Sequence, residues 1–336
     1  MKILQILGNL RGGGAERVAI QLHAALHRKG HESLLFVLDR HKSDYDIPEG
    51  THFVAADQIA HRLDSVAPDL ILGHMQNGAR LLQRYKNDPH IFFVVHTSLY
   101  RRTMQKSFLS RLKYRRILRR LYDGANIVTV SEGIRGDFGK LGITPKRVET
   151  IYNPFDLDAI RTQAKAPVDM DRPYLLAIGT LNRVKRHDIL LRAFAKLDPP
   201  IDLVILGEGR LRERLQQLAQ RLGIASRVHL KGWVENPYPW IRHAKLLVSS
   251  SQAEGFGNVL VEALTLGTPV VSTDCNHGPR EILTGALAGY LARVNDPDDL
   301  AAKITAALHA YPPIGADLTA RFSADRIADR YLSLIA

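Results

Sequence analysis

Toward its carboxyl end the chain reads EGFGNVLVEALTLGTPVV, residues 254–271. Glu254 and Glu262 stand on either side of a Gly255-Phe256-Gly257-Asn258 step. The residues just before, Leu246–Ser249, read as a strand, and a helix opens at Gly257 or Asn258. Backbone amides around Gly255–Asn258 would then point outward, unpaired, at the positive end of a helix dipole, which makes a ready anion site. Glycine lets a phosphate approach the backbone closely. Carboxylates instead accept hydrogen bonds from hydroxyls. A ligand with phosphates in the middle and hydroxyls at both ends satisfies this pattern, and a nucleotide sugar is such a ligand. Glu262 would hold the ribose and Glu254 the sugar. For a bare E-x7-E spacing, which arises by chance, a capped surface helix with two solvated acids is the better reading; the glycine step just after a strand shifts the balance toward the ligand.

A second group is IGTLNRVKRHDILLRAF, residues 178–194. Arg183 and Lys185 follow a strand that ends at Gly179, where two cations can clamp a diphosphate and stabilise its departure. Taken alone, a solvated basic loop fits equally well. In GNLRGGGAERV, Gly12, Gly13 and Gly14 lie between a strand and a helix. Their spacing is not that of a dinucleotide fingerprint. A turn facing the diphosphate and a plain tight turn are both open. His96, in FFVVHTSLY, directly follows an apolar strand and belongs at the mouth of a binding cleft; His74, in LILGHMQNG, has the same placement on a less clear strand.

The run RRTMQKSFLSRLKYRRILRRL, residues 101–121, holds nine Lys/Arg and no acid: Arg101, Arg102, Lys106, Arg111, Lys113, Arg115, Arg116, Arg119 and Arg120. Met104, Phe108, Leu112, Ile117, Leu118 and Leu121 recur near helical spacing. A basic amphipathic helix can lie on an anionic membrane, and that reading is favoured over a core-facing stripe. The charge of the whole chain points the same way. Of a net +12, residues 1–165 carry +10, from 26 Lys/Arg against 16 Asp/Glu. No Cys/His finger, RNP-type motif or basic zipper appears, so nucleic acid is not an expected partner. No metal-ligating cluster is evident.

These residues need elements to hold them. Apolar runs at Lys2–Leu7, Ser33–Leu38, Leu70–Gly73, Ile91–His96, Ile127–Ser131 and Val148–Tyr152 read as buried strands, with helices such as Ala15–Lys29 between them. The second half repeats the scheme, with strands at Tyr174–Gly179, Leu203–Gly207, Val228–Leu230, Leu246–Ser249 and Pro269–Ser272. Alternation of this kind implies βαβ units and parallel sheets, hence an α/β chain of two Rossmann-like domains. At 336 residues and 45% hydrophobic content the chain can fill two cores. The polar stretch Ala159–Pro173 is the linker candidate. Ligands of open parallel sheets bind beyond the carboxyl ends of the strands, so two such domains facing each other would make one cleft. A single cysteine, Cys275, suits a reducing compartment. The opening MKILQILGNL reads as a first strand rather than a signal peptide.

Together the motifs resemble the retaining glycosyltransferases of family 4, with the GT-B fold of two doubly wound domains about a central cleft. The similar stretches are RGGGAERV, VVHTSLY, VSEGIRGDF, IYNPFD, GTLNRVK, LGEGRLRERL, LKGWVEN, EGFGNVLVEALTLGTPVVSTD and GPREIL. The resemblance implies an N-terminal acceptor domain over residues 1–165, a donor domain over 166–320 and a last helix, 321–336, that crosses back to the first. It implies no metal and no cofactor. It assigns Arg183 and Lys185 to the diphosphate, Glu262 to the ribose, and Glu254 with Gly255, Phe256, Gly257 and Asn258 to sugar and phosphate. Gly13, beside Gly14, matches an N-terminal diphosphate contact, His96 the histidine near the transferring sugar, and Val234 a border of the base. His96, Glu254 and Lys185 form the expected catalytic set. Many members carry Arg directly after the glycine of the 174–179 strand; here it is Thr180, so whether Arg183 takes that arginine's place is open, and the resemblance supports Lys185 more strongly than Arg183 for the diphosphate. The expected reaction moves a hexose or N-acetylhexosamine from a nucleotide sugar, UDP-linked by expectation, to a lipid-linked saccharide acceptor in surface-glycan synthesis, on the cytoplasmic face of the membrane. A nucleotide-sugar epimerase of the same fold and a non-enzymatic, charge-driven binder of nucleic acid or membrane are the alternatives.

Overall fold

A computed structural model describes residues 1–10, 13–39, 46–197 and 200–335; Gly12 of the glycine turn lies outside them. The chain divides into two compact units, Met1–Asp156 with Arg321–Ala336, and Leu157–Ala320.

The N-terminal unit is built on seven parallel strands: β1 (Lys2–Leu7), β2 (Glu32–Val37), β3 (Thr51–Phe53), β4 (Leu70–His74), β5 (Ile91–Val95), β6 (Asn126–Thr129) and β7 (Arg147–Thr150), in the order β3-β2-β1-β4-β5-β6-β7. The central strands are apolar on both faces, as strands covered by helices on either side must be. Ile3, Leu4, Ile6, Leu72 and Val94 are fully buried. The terminal helix Ala324–Leu332 packs on helix Gly14–Arg28. Tyr331 is buried there, and surface ion pairs Arg28–Asp325 (3.1 Å) and Lys29–Asp329 (2.8 Å) rim the contact. Phe155 and Phe322 stitch the returning chain in place, through Phe155 N–H to the Phe322 carbonyl at 2.9 Å.

The C-terminal unit carries six parallel strands: β8 (Tyr174–Ile178), β9 (Asp202–Leu206), β10 (Val228–Gly232), β11 (Leu246–Ser249), β12 (Val270–Thr273) and β13 (Leu291–Ala292), in the order β10-β9-β8-β11-β12-β13. Its core gathers Leu175, Leu203, Ile205, Leu246, Val248 and Val271 from the strands with Leu190, Phe194 and Ile304 from the helices. The stretch Ala159–Pro173 does not act as a linker throughout. Helix Leu157–Gln163 packs on helix Asn258–Thr265 and buries Ile160, because one apolar side chain is enough to seat a single-sided helix that is otherwise polar.

The basic run is two helices, Leu99–Met104 and Phe108–Tyr122, rather than one. Its apolar residues part company. Tyr114, Leu118, Leu121 and Tyr122 are buried, whereas Phe108 (78%), Leu109 (77%) and Leu112 (52%) are exposed. Its cations divide too. Arg115 and Arg119 donate to the carbonyls of Leu141 and Gly142 at the end of helix Glu132–Leu141, and Arg111 donates to that of Met104. Lys113, Arg116 and Arg120 line the surface beside Leu109 and Leu112.

Candidate active site

In the N-terminal unit the candidate residues sit on neighbouring strands. Gln5 of β1 registers with Leu72 of β4, and His74 at the end of β4 registers with Val94 of β5. Side chains two apart on a strand share a face, so Gln5, His74 and His96 stand on one face of three adjacent strands. They are hydrogen-bonded in a row. Gln5 Nε2 donates to the Ala19 carbonyl (3.2 Å), Gln5 Oε1 meets His74 Nε2 (3.0 Å), and His74 Nδ1 meets His96 Nε2 (2.9 Å). His74 does not reach the surface, as its place at a strand end suggested; it is fully buried behind His96, which is 8% exposed. The chain turns sharply after it, with Met75 at φ 59°, and the following helix lies against β4 where Gly78 meets Gly73. A Cβ on Gly78 would stand 2.6 Å from the Gly73 carbonyl carbon, so only glycine permits this approach. Burial pushes the His96 imidazole down to about 4 and holds that of His74 well below its ordinary value, with the His96 ring adding to the effect at His74. Both are uncharged at neutral pH. Gly13 precedes helix Gly14–Arg28 as its cap, and Gly14 is exposed.

In the C-terminal unit the loop after β8 is laced to the loop after β11. Asn182 Oδ1 accepts from the amides of Val184 (2.8 Å) and Lys185 (3.1 Å). Ser250 Oγ donates to the Lys185 carbonyl, and Gln252 Nε2 to that of Arg183. Lys185 Nζ, held in this way, donates to Glu254 Oε1 at 2.7 Å, and Ser251 Oγ donates to the same oxygen at 2.5 Å. The pair is partly covered, with the side chains 24% and 12% exposed. Next comes the turn Gly255–Gly257 and helix Asn258–Thr265, which carries Glu262 at 2% exposure. The turn is fixed from outside. Gly278, at φ 93°, packs against the Phe256 carbonyl so closely that a Cβ there would lie 1.7 Å from its oxygen. The GPREIL stretch therefore shapes the turn. Gly207 N–H donates to the Gly232 carbonyl (2.6 Å), which draws the Trp233-Val234 segment to the end of β9.

Arg183 and Lys185 have different surroundings, although the sequence suggests them as one clamp. Arg183 is exposed and lines a groove of about 420 Å³ with Arg186, Asp188, Arg192, Arg214 and Arg221. Asp188 is taken by Arg186 at 2.9 and 3.0 Å.

Several contributors have no motif to announce them. Gln5 is an unremarked polar residue in a strand, and Ser251 and Asn182 are loop residues. His187 is buried beside Lys185 with no hydrogen-bond partner at Nδ1; burial, then the Lys185 charge, pushes its imidazole down to about 4. Burial and the Glu254 charge push the Cys275 thiol up to about 12. Among the described residues no group of His, Cys, Asp or Glu is arranged to hold a metal ion. A cation paired with a carboxylate, next to a glycine turn that opens a helix, can hold a phosphate and a hydroxyl side by side.

Two family profiles match successive parts of this chain: Glycosyltransferase Family 4 over residues 12–159 and Glycosyl transferases group 1 over residues 158–323. The chain belongs to these glycosyltransferases. This glycosyltransferase is 29% identical, over 87% of its length and 86% of the relative's, to a Campylobacter jejuni N-acetylgalactosamine-N,N'-diacetylbacillosaminyl-diphospho-undecaprenol 4-alpha-N-acetylgalactosaminyltransferase. It is 27% identical to the lipopolysaccharide core biosynthesis glycosyltransferase LpsE of Rhizobium meliloti, over 97% of this chain and 96% of LpsE. Its fold matches that of Anabaena HepE in complex with UDP at a TM-score of 0.81 and 19% identity, over 99% of both chains. The glycosyltransferase thus has the GT-B fold, two parallel-sheet Rossmann-like units.

Proposed function

We propose that the glycosyltransferase moves a hexose or N-acetylhexosamine from a UDP-sugar to a lipid-linked saccharide in surface-glycan synthesis, with retention at the anomeric carbon. The Lys185–Glu254 pair at 2.7 Å, directly before the turn that opens helix Asn258–Thr265, carries this reading. A diphosphate that departs from the sugar gains charge on its leaving oxygen. Lys185 meets that charge from a fixed position, which lowers the barrier without reorganisation. Glu254 and Glu262 accept from hydroxyls, the first on the sugar and the second on the ribose. The bond from C1 to the phosphate oxygen breaks and a bond from C1 to the acceptor oxygen forms on the same face. The acceptor proton passes to the departing phosphate, so no side chain has to serve as base and no metal is required. That suits a neutral His96, which orients the sugar rather than exchanging protons. Arg183, Gly13, Gly14 and the turn Gly255–Asn258 contribute to the phosphates, and Val234 borders the base.

The activities for which relatives are named support this choice of substrates. They include a transferase acting on a diphospho-undecaprenol saccharide, lipopolysaccharide core transferases, and a poly(ribitol-phosphate) alpha-N-acetylglucosaminyltransferase of Staphylococcus aureus. HepE was solved with UDP-glucose. On this reading residues 157–320 hold the donor, and the N-terminal unit receives the acceptor. Phe108, Leu109 and Leu112, with Lys113, Arg116 and Arg120 beside them, rest on the anionic inner face of the cell membrane.

The test is thermal stabilisation across UDP, GDP, ADP and their sugars in the absence of metal. UDP and one or more UDP-sugars should raise Tm by mass action, and Glu262→Ala should abolish the rise. No shift with any nucleotide would overturn the donor assignment.

A further inference from the structure

We infer that Ala19, Gln5 and His74 form a relay that fixes the tautomer of His96, so that its Nδ1 is presented as a hydrogen-bond acceptor to a hydroxyl of the transferring sugar. The sugar in that statement rests on the glycosyl-transfer reading; the tautomer does not.

A backbone carbonyl can only accept. The Gln5 group that meets the Ala19 carbonyl at 3.2 Å must therefore be the amide NH2, which turns Oε1 of Gln5 toward His74. That oxygen also can only accept, so His74 donates to it from Nε2 at 3.0 Å. A neutral imidazole has one N–H, and Nδ1 of His74 is left with a lone pair. His96 then has to donate from Nε2 across 2.9 Å, and its own Nδ1 keeps the lone pair. Reversing any one step would set two lone pairs or two protons against each other. A doubly protonated His74 would also satisfy Gln5, but it would place a full positive charge on a residue with 0% exposure between an amide and a second imidazole. Burial opposes exactly that form, in line with the lowered basicity of both rings.

The direction of the relay matters because of where it ends. It starts at the helix Gly14–Arg28, crosses β1 and β4 inside the unit, and reaches His96 just beyond the carboxyl end of β5, where open parallel sheets bind their ligands. Nε2 of His96 is committed inward, so Nδ1 is the ring nitrogen left for a ligand. An acceptor held in one state takes a hydroxyl hydrogen and gives none. Such a site discriminates against a sugar that lacks the hydroxyl, because a desolvated acceptor is left unpaired. Gln5 and His74 act through His96 and are positioning residues.

The first measurement needs no substrate. Two-bond proton–nitrogen spectra of the full chain at neutral pH should show His74 and His96 both in the neutral Nε2–H form. An Nδ1–H or doubly protonated His96 overturns the relay. Gln5→Met removes the ordering amide at similar volume; His96 should then populate both tautomers, and kcat/KM should fall about tenfold, the worth of one hydrogen bond. His74→Asn keeps an oxygen in place of Nδ1 and should retain the Nε2–H form of His96, whereas His74→Leu should lose it. Equal behaviour of the two variants overturns an electronic role for His74 even if Gln5→Met does not fold. Donors deoxygenated at one ring position at a time then test the hydroxyl. Wild type should reject one of them by about tenfold or more, and Gln5→Met should reject it less. Equal use of all of them overturns the hydroxyl assignment with the tautomer intact, whereas failure to turn over any nucleotide sugar overturns the transferase reading instead.

Discussion

In the N-terminal unit the candidate residues are neutral and dry: an amide and two uncharged imidazoles, spread over three strands on one face of the sheet. In the C-terminal unit they are charged and half covered: an ammonium against a carboxylate, both on loops beyond the strand ends. The same kind of sheet supports both, and the difference follows from depth. A group among fully buried strands cannot keep a charge without a large desolvation cost, so it works through the direction of its hydrogen bonds. A loop at the edge of the sheet keeps access to water on one side and can hold an ion pair. Under the function proposed above, orienting a sugar requires only direction and a departing diphosphate requires charge, so each task would fall to the group whose surroundings suit it.

The strongest way to break this contrast is to remove the charged member. If Lys185 meets the departing diphosphate as proposed, Lys185→Ala should reduce kcat/KM by on the order of 10²–10³ while the far-ultraviolet dichroism stays unchanged, since the ammonium's partner in the fold is the half-covered Glu254 carboxylate. Wild-type turnover in that variant would mean that the charge lies elsewhere, with Arg183 the next candidate.

Acid should test the buried imidazoles, His74 and His96 in the N-terminal unit and His187 beside Lys185 in the C-terminal unit. His96 and His187 have folded values of about 4, below the ordinary 6.5, so the unfolded chain binds more protons in this window. Their neutral state adds no penalty above pH 6.5. Below it, stability is lost as pH falls toward 4, by about 2 kcal/mol for each imidazole at pH 5. His74, also lowered, adds to the loss in the N-terminal unit. Urea titrations at pH 7 and pH 5 measure it, and equal midpoints would show that these rings are not buried neutral.

The smallest expected effect concerns the exposed face of helix Phe108–Tyr122, where Phe108, Leu109 and Leu112 stand beside Lys113, Arg116 and Arg120. Replacing Phe108 and Leu109 with Ser should weaken sedimentation with vesicles rich in anionic lipid several-fold and leave thermal stability nearly unchanged, because both side chains are more than three-quarters exposed. Retained binding at low salt would assign the attraction to the cations alone.

Most strands were legible because a covered parallel strand is an unbroken apolar run. The exceptions are β3, whose Thr51-His52-Phe53 has no such run, and β13, which has two residues. The linker expected over Ala159–Pro173 overlaps the end of helix Leu157–Gln163 because the polar composition there hides the contact made by Ile160. In the candidate site, the residues flanking glycine turns and strand ends could be named, since turn chemistry is local. Their partners could not. Lys185 and Glu254 are 69 positions apart, and Gln5 and His74 are again 69 apart. Nothing in a glutamine on a strand signals that it orders two imidazoles. Arg183 and Lys185 looked alike because loop spacing does not reveal which way each side chain leaves the backbone.

The approach of Gly278 to the Phe256 carbonyl has a consequence for anyone wishing to change which sugar this transferase accepts. On the proposed assignment of Glu254 to the sugar, mutagenesis aimed at the sugar would randomise the turn after it. The shape of that turn is set by a glycine more remote in sequence, whose φ of 93° and lack of a side chain are both required. Libraries that vary the turn with Gly278 held constant explore side-chain chemistry on a stable frame. Libraries that vary Gly278 as well discard the frame before any new specificity can be selected.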